Sequence, residues 1–204
     1  MVKKSGKTRW AERDKWLSLE EQRILLDHVK KANIVTKTLV NFMLGTGMRC
    51  AEVSKARFEH LRLDGPDPEV WTEGKGAKAR IIPIDSDLVA LLKQYMAFRK
   101  SNKPGKGRWG YKLNGNGFIF PWHPKTIWLR WGNAVRAAGL TRGFHSHAAR
   151  HSYASVSYQV EKDLKTVQDL MGHASASTTA LYVHSTAEMR RAAVEGRRKM
   201  INGK

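Results

Sequence analysis

The chain has 204 residues, of which 41% are hydrophobic and 27% are charged. This length and balance predict one soluble globular domain, or one domain with a small appendage, that can bury a hydrophobic core. Lys and Arg total 37 against 18 for Asp and Glu, a formal charge of +19 at pH 7. Such a charge repels itself in the folded state, and its usual partner is a polyanion, most often nucleic acid. A cationic protein without such a partner is the alternative.

Cysteine content and hydropathy indicate the compartment. The one cysteine, Cys50, excludes an intrachain disulfide framework and agrees with a reducing cytoplasm. No run reaches the ~18 consecutive apolar residues of a membrane-spanning helix. The first ten residues, MVKKSGKTRW, lack the apolar core of a secretory signal. We therefore expect a cytoplasmic protein with no membrane contact, in which residues 1–16 form a flexible basic arm.

The first part of the chain predicts three helices. Ser18 is followed three residues later by Glu21, which is the pattern of a capping box at a helix start. NIVTKTLVNFML, at 33–44, predicts a strongly apolar helix that the glycines after it should end. CAEVSKARF, at 50–58, predicts a short third helix.

A β-hairpin and another helix come next. EVWTE (69–73) and ARIIPI (79–84) are rich in Val, Ile, Trp and Thr, and GKGAK between them predicts a glycine-rich tip. Asp85 or Ser86 is placed to cap the following helix. The apolar stripe of that helix consists of Leu88, Leu91, Leu92, Tyr95 and Met96.

Residues 100–117 are rich in Gly, Asn and Lys, and they form a segment that is too long for an ordinary connection. They predict either a mobile loop that contacts DNA phosphates or a solvated insertion, and the sequence favours neither. GFIF, at 117–120, is typical of a short strand. Further helices are predicted at 126–139, 146–159, 163–172, 177–184 and 187–200.

Three short segments place a cation or an imidazole beside a glycine or a helix start. Arg49 follows two glycines at a helix entrance, where its side chain and the helix amides can meet one anion. Lys75 lies between two glycines, which let the backbone of the hairpin tip approach a ligand closely. His147 and Arg150 are three residues apart and therefore share a helix face. Each has an ordinary structural explanation, so it is their joint occurrence that favours a site.

Four segments together resemble the catalytic domain of the tyrosine recombinases, the family of phage integrases and bacterial site-specific recombinases. TGMRCAEVSKAR resembles the first family box, GKGAKARIIPI the hairpin, HSHAARHSYAS the His-x-x-Arg box and LMGHASASTTALYVH the final box. The resemblance covers residues 18–190, and the last two boxes are its most specific part. It implies six catalytic residues: Arg49, Lys75, His147, Arg150, His173 and the nucleophile Tyr182.

The resemblance also implies supporting residues. Glu52 would be the structural partner of the first arginine, and His151 follows the second arginine, as a histidine often does in the family. The family usually has leucine where this chain has Ala149, so we expect a locally reshaped core with activity retained. Expected DNA contacts are Lys78, Arg80, Lys103, Lys106 and Arg108.

The implied fold is α+β and mainly helical, with a small antiparallel sheet that carries the catalytic lysine beside a helical bundle. The catalytic domain would span residues 17–204. Family members usually carry a helical DNA-clamping domain before it, whereas only residues 1–17 precede the first predicted helix here. We therefore expect a fragment of a longer integrase. A protein that grips DNA with one domain is the alternative.

The implied reaction is cleavage and rejoining of duplex DNA through a 3′-phosphotyrosyl link. Arg49 and Arg150 would hold the nonbridging phosphate oxygens with their charged forks. A phenol with a pKa of about 10 needs help to attack, and His147 is placed to take its proton. His173 would donate a hydrogen bond to the phosphate, and Lys75 would protonate the departing 5′-oxygen. One ester replaces another, so we expect no ATP, metal or other cofactor.

Three alternatives stay open on the sequence alone. His145, His147 and His151 could include zinc ligands, although no cysteine or acid lies beside them and Arg150 would repel a cation. Tyr182 by itself is typical of a half-buried helix tyrosine. The alternative functions are a type IB topoisomerase-like nicking and resealing enzyme, and a non-catalytic DNA-binding relative.

Double-stranded DNA is the expected partner. The resemblance implies a monomer in solution and a tetramer on paired DNA sites, in a bacterial, phage or mobile-element context. The last predicted helix could pack on its own domain or dock onto a neighbouring protomer. It carries Arg190, Arg191, Arg197 and Arg198.

Overall fold

The computed structural model describes residues 16–73, 79–101, 117–145, 147–161 and 163–171. Several predictions concern the rest of the chain: the basic arm, the hairpin tip, most of the 100–117 segment and everything from residue 172 onward. The predicted site residues that lie outside the described residues are Lys75, Lys78, Lys103, Lys106, Arg108, His173 and Tyr182.

Helices dominate the described chain. In chain order they are α1 (Leu19–Lys30), α2 (Ile34–Thr46), α3 (Cys50–Val53), α4 (Ser86–Ser101), α5 (Pro124–Ala137), α6 (Ala148–Glu161) and α7 (Leu164–Met171). The strands β1 (Leu61–Arg62), β2 (Glu69–Glu73) and β3 (Ala79–Pro83) form one antiparallel sheet in that order. The predicted α+β, mainly helical fold with a small antiparallel sheet is confirmed. Among the described helices, none has the length and apolar character needed to cross a bilayer.

Local hydrogen bonds explain where several helices begin and end. The predicted capping box is present, since the Glu21 N–H donates to the Ser18 hydroxyl at 3.2 Å and the Ser18 N–H donates to the Glu21 carboxylate at 2.7 Å. At the end of α2, Gly47 takes the left-handed conformation at φ 59°. Asp85, one of the two predicted caps of α4, accepts a bond from the Leu88 N–H at 2.9 Å.

The third predicted helix is shorter than expected. A helix was predicted over 50–58, but α3 has only four residues. Beyond it, the N–H groups of Phe58 and Ile119 donate at 2.8 Å to the carbonyls of Gly117 and Ala56, respectively. These long-range bonds use backbone groups that a longer helix would have paired internally. The GFIF segment accordingly forms an isolated antiparallel bridge and not the predicted strand.

The β-hairpin is confirmed in both of its strands. The register pairs Val70 with Ile82 and Thr72 with Arg80, and these four side chains are buried. Ile81, on the opposite face, is 54% exposed. The sequence did not predict β1, because a strand of two residues carries no periodic pattern.

The main hydrophobic core joins helices α1–α5 and the start of α6 to the sheet, and α2 contacts α1, α4, α5 and α6. Two of its buried rings have hydrogen-bonded polar atoms: the Tyr95 hydroxyl donates to the Ile119 carbonyl at 3.0 Å, and the Trp131 indole N–H donates to the Gly143 carbonyl at 2.8 Å. Ala149 is buried in the same core, so this position packs as expected.

Gly47, between α2 and α3, lies directly against α6. A Cβ at this position would be 2.5 Å from Cδ1 of Tyr153, closer than carbon atoms approach. Gly139, just after α5, also has a positive φ of 76°, but no heavy atom lies within 4 Å of its hypothetical Cβ. Both glycines therefore have a positive φ, but only Gly47 has a side chain packed against it.

We expect Gly47→Ala to destabilise the fold more than Gly139→Ala. Both alanines would bear a left-handed backbone cost of about 1–2 kcal/mol. Only the alanine at Gly47 would also displace an aromatic ring, which adds about 1–3 kcal/mol. Urea unfolding of both variants and the wild type measures the difference. Equal losses in the free energy of unfolding would contradict the steric role of Tyr153.

Candidate functional site

The site begins where the chain turns from α2 into α3. Arg49 occupies the N-cap position of α3 in an extended conformation, and Glu52 lies three residues later. The Glu52 carboxylate reaches back to accept the Arg49 backbone N–H at 2.7 Å and the Arg49 guanidinium at 2.9 Å. One carboxylate therefore fixes both the backbone and the side chain of this arginine.

The Glu52 carboxylate also contacts two arginines from distant parts of the chain. The two terminal nitrogens of Arg80, on β3, bind its two oxygens at 3.1 and 2.9 Å. Nη1 of Arg150, on α6, lies 3.8 Å from the nearer carboxylate oxygen. The side chains of Glu52, Arg80 and Arg150 are only 6%, 7% and 3% exposed, respectively. Three guanidinium groups, two of them buried, thus surround one buried carboxylate.

The buried guanidinium group of Arg150 connects α6 to the ends of α2 and α7. It donates to the carbonyl of Gly47 at 2.9 Å and to the carbonyl of Met171, the last residue of α7. The first bond explains why the glycine that ends α2 lies so close to α6. The second bond fixes the end of α7, where the final family box begins.

The arginines determine the charge of Glu52. Burial by itself would raise the pKa of this carboxyl group. Hydrogen bonds from Arg80 and from the Arg49 N–H, with the charges of Arg80 and Arg150, outweigh that effect and lower the pKa to about 2. Glu52 is therefore ionised at neutral pH, and the cluster keeps a net positive charge.

His147 lies beside this cluster, at the start of α6. Desolvation and the positive charges of Arg49 and Arg150 lower the pKa of its imidazole, and the charge of Glu52 partly opposes them. The ordinary histidine pKa is about 6.5, so the imidazole is neutral at pH 7. A neutral imidazole can accept a proton from a nearby acid.

An open cleft of about 630 Å³ adjoins these groups. Arg49 and His147 contribute to its lining, together with His145 and two residues of the first turns of α5, Lys125 and Trp128. The Arg49 side chain is 31% exposed, far more than that of Arg150. A basic cleft of this kind can bind an anion and present Arg49 to it.

Two other kinds of site, a cysteine nucleophile and a metal centre, find little support in the same region. Burial raises the pKa of the Cys50 thiol to about 11, so this cysteine is not the thiolate that a nucleophile requires. The rings of His147 and His151 pack edge to face at 6.1 Å. Within the part of the chain that the structure describes, no three His, Cys, Asp or Glu residues are grouped as a metal site.

The structure brings together Arg49, Glu52, His147 and Arg150, with His151 one turn further along α6. Arg80 has a different place from the one predicted, because its guanidinium is buried against Glu52 and not presented to solvent as a DNA contact. Strand alternation could have indicated this, since Arg80 and the buried Ile82 lie on the same face of β3.

The family model described as the phage integrase family matches residues 15–189. The chain belongs to the phage integrase family. The match includes the four boxes identified in the sequence, so the predicted family is confirmed.

Relatives of this integrase-family chain include two tyrosine recombinases. XerA of Pyrococcus furiosus is 32% identical over 181 residues, which are 89% of this chain and 61% of the relative. XerD of Corynebacterium glutamicum is 31% identical over 180 residues, which are 84% of this chain and 57% of the relative. The chain thus spans less than two thirds of the length of these curated relatives.

Solved structures share the fold. XerA recombinase has a TM-score of 0.74 at 21% identity, covering 90% of this chain and 65% of that structure. The catalytic domain of bacteriophage HP1 integrase has a TM-score of 0.61 at 20% identity, covering 88% of this chain and 93% of that structure. XerH bound to its difH substrate after cleavage has a TM-score of 0.71 at 26% identity, covering 89% and 52%, respectively.

We expect Glu52→Gln to lower stability most at neutral pH. The ionised carboxylate stabilises the fold by about 3 kcal/mol above pH 5, and this contribution is lost as the pH falls from the ordinary carboxyl pKa towards 2. The glutamine does not titrate, so the stability gap between wild type and variant should narrow in acid. Urea unfolding between pH 6 and pH 3 measures this gap.

Asp27→Asn is the matched control. Its carboxylate pairs with Lys30 at 2.6 Å but is 69% exposed, so the same change of charge should have little effect on stability. A Glu52→Gln gap that stays constant across the pH range would contradict the buried, ionised state of Glu52.

Proposed function

We propose that this chain is the catalytic part of a site-specific DNA recombinase. It cleaves and rejoins duplex DNA through a covalent 3′-phosphotyrosyl intermediate, with Tyr182 as the nucleophile. The observation that carries this proposal is the convergence of Arg49 and Arg150 on one buried carboxylate, beside a neutral histidine and an open basic cleft. Membership of the phage integrase family supports the same function.

Arg49 would bind the scissile phosphate, and Arg150 would stabilise it through its charge. Both guanidinium groups remain charged at all physiological pH values, and the planar guanidinium of Arg49 matches the geometry of two phosphate oxygens. Arg49 reaches the cleft, whereas Arg150 is buried behind it and adds positive charge from a fixed position. Charge preorganised in this way stabilises the negative charge that develops during attack.

The chemical step would involve Tyr182 and three further residues. The Tyr182 oxygen forms a bond to phosphorus while the bond to the 5′-oxygen breaks. His147 accepts the tyrosine proton, Lys75 gives a proton to the leaving 5′-oxygen, and His173 donates a hydrogen bond to the phosphate. The phosphotyrosyl ester retains the free energy of the broken ester, so a 5′-hydroxyl can reverse the step without ATP.

The alternative functions are less well supported. The family match extends through residue 189 and so includes the final box, and relatives are named tyrosine recombinases. A type IB topoisomerase-like enzyme and a non-catalytic DNA-binding relative are therefore not favoured.

The proposed partner is double-stranded DNA. XerH and the Tn1549 transposon integrase, two structural neighbours, are described in complexes with DNA. We propose a monomer that assembles as a tetramer on two paired DNA sites, with the C-terminal helix docking onto a neighbouring protomer. Its DNA substrate would place the protein in the cytoplasm of a bacterium, including during phage or mobile-element transfer.

A nicked suicide duplex tests the nucleophile. Duplexes are first selected for specific binding, starting from sequences that flank the gene, and are then nicked so that the short cleaved fragment diffuses away. We expect the wild type to form a covalent protein–DNA adduct in a denaturing gel, with the DNA attached at Tyr182. Tyr182→Phe should form none, because it lacks the attacking oxygen.

Tyr158→Phe, a substitution of the same kind on α6, is the matched control and should form the adduct normally. The absence of any adduct on specifically bound duplexes, or an adduct that persists in Tyr182→Phe, would contradict the proposal.

A further inference from the structure

Arg80 stands at the base of the hairpin whose tip contains Lys75. It is the second residue of β3 and pairs with Thr72 on β2, while Glu73 and Ala79 form the last pair before the tip. Its position in the sheet is thereby fixed by backbone hydrogen bonds. Its side chain extends to Glu52, 28 residues earlier in the chain.

The hydrogen bonds that Glu52 accepts through its two oxygens are divided evenly between Arg49 and Arg80. Each carboxylate oxygen accepts one bond from a terminal nitrogen of Arg80 and one bond from Arg49, at distances between 2.7 and 3.1 Å. A fork that binds both oxygens fixes the plane of a carboxylate as well as its position. With that plane fixed, the remaining lone pairs of Glu52 point at the backbone and guanidinium of Arg49.

We propose that Arg80 is a positioning residue for DNA cleavage. It holds Glu52 in the orientation that aims Arg49 into the cleft, and it anchors the base of the Lys75 hairpin to the arginine cluster. This role rests on the proposed recombinase function of the site. It differs from a direct DNA contact, because the Arg80 side chain is 7% exposed whereas that of Arg49 is 31% exposed.

The test compares Arg80→Met, which removes the charge and the fork, with Arg80→Lys, which keeps the charge but loses the fork. Arg62→Met is the matched control, since Arg62 lies in the same sheet, is 64% exposed and faces Glu69 at 3.5 Å. Each protein is measured for single-turnover cleavage of the nicked duplex, for DNA affinity as a function of salt and for thermal unfolding.

We expect Arg80→Met to cleave about 10–100-fold more slowly, by analogy with the loss that follows removal of the hydrogen-bond partner of a metal ligand. Its DNA affinity and salt dependence should stay close to those of the wild type. Arg80→Lys should recover part of the cleavage rate. If Arg80→Met does not fold, the comparison is made with Arg80→Lys alone. Arg62→Met should leave all three measurements unchanged.

A second readout follows Glu52 itself in the DNA-free protein. The carboxyl carbon of Glu52 is titrated by NMR in the wild type and in Arg80→Met. Loss of the Arg80 fork should raise the pKa of Glu52 towards the ordinary value of about 4.3. Among the residues that the structure describes, the other charged or titratable groups that face Glu52 are Arg49, Arg150 and His147, and all three remain in the variant.

Several results would overturn this role. Weaker DNA binding with a salt slope reduced by about one unit would instead identify Arg80 as a phosphate contact. Unchanged cleavage, or an unchanged titration of Glu52, would show that Arg80 does not act through the carboxylate. A wild type that forms no Tyr182-dependent adduct would overturn the proposed function and this role together. An adduct with a normal rate in both Arg80 variants would overturn this role alone.

Discussion

The buried carboxylate of Glu52 is the interaction on which the rest of the site depends. Three guanidinium groups from α3, β3 and α6 would repel one another without it, and two of them are almost completely buried. An unpaired buried charge costs several kcal/mol, so the carboxylate is required to bring these cations together. Because one negative charge is shared by three positive charges, the cluster retains charge that can act on an anion. The same group therefore serves the fold and the proposed chemistry.

The surrounding fold gives this cluster little freedom to move. Arg150 is bonded to the ends of α2 and α7, and the chain between α2 and α3 is pressed against Tyr153 of α6 at Gly47. Functional groups held by helices and strands are more precisely placed than groups on loops. The hydrogen bond to Met171 extends this order to the first residues of the final box. Packing in the core and geometry at the cleft are consequently coupled.

Much of the fold and of the site could be predicted from the sequence, wherever a structure depends on residues that are close together in the chain. The capping box at Ser18, the hairpin strands and the helices from 126 to 171 follow from side-chain periodicity and capping patterns, and the four boxes indicated the family. The sequence did not predict that 50–58 would be a short helix followed by pairing with 117–119, because that pairing joins distant segments. Arg80 was expected on the DNA surface for the same reason: its burial depends on Glu52, which lies on another element.

The central claim is that Glu52 acts by holding Arg49, which would bind the scissile phosphate. A double-mutant cycle between Glu52→Gln and Arg49→Lys, followed by single-turnover cleavage of the nicked duplex, tests it most directly. If the carboxylate works through Arg49, the combined loss of rate should fall well below the product of the two single losses. Losses that multiply in full would show that Glu52 and Arg49 act independently, and would contradict the account.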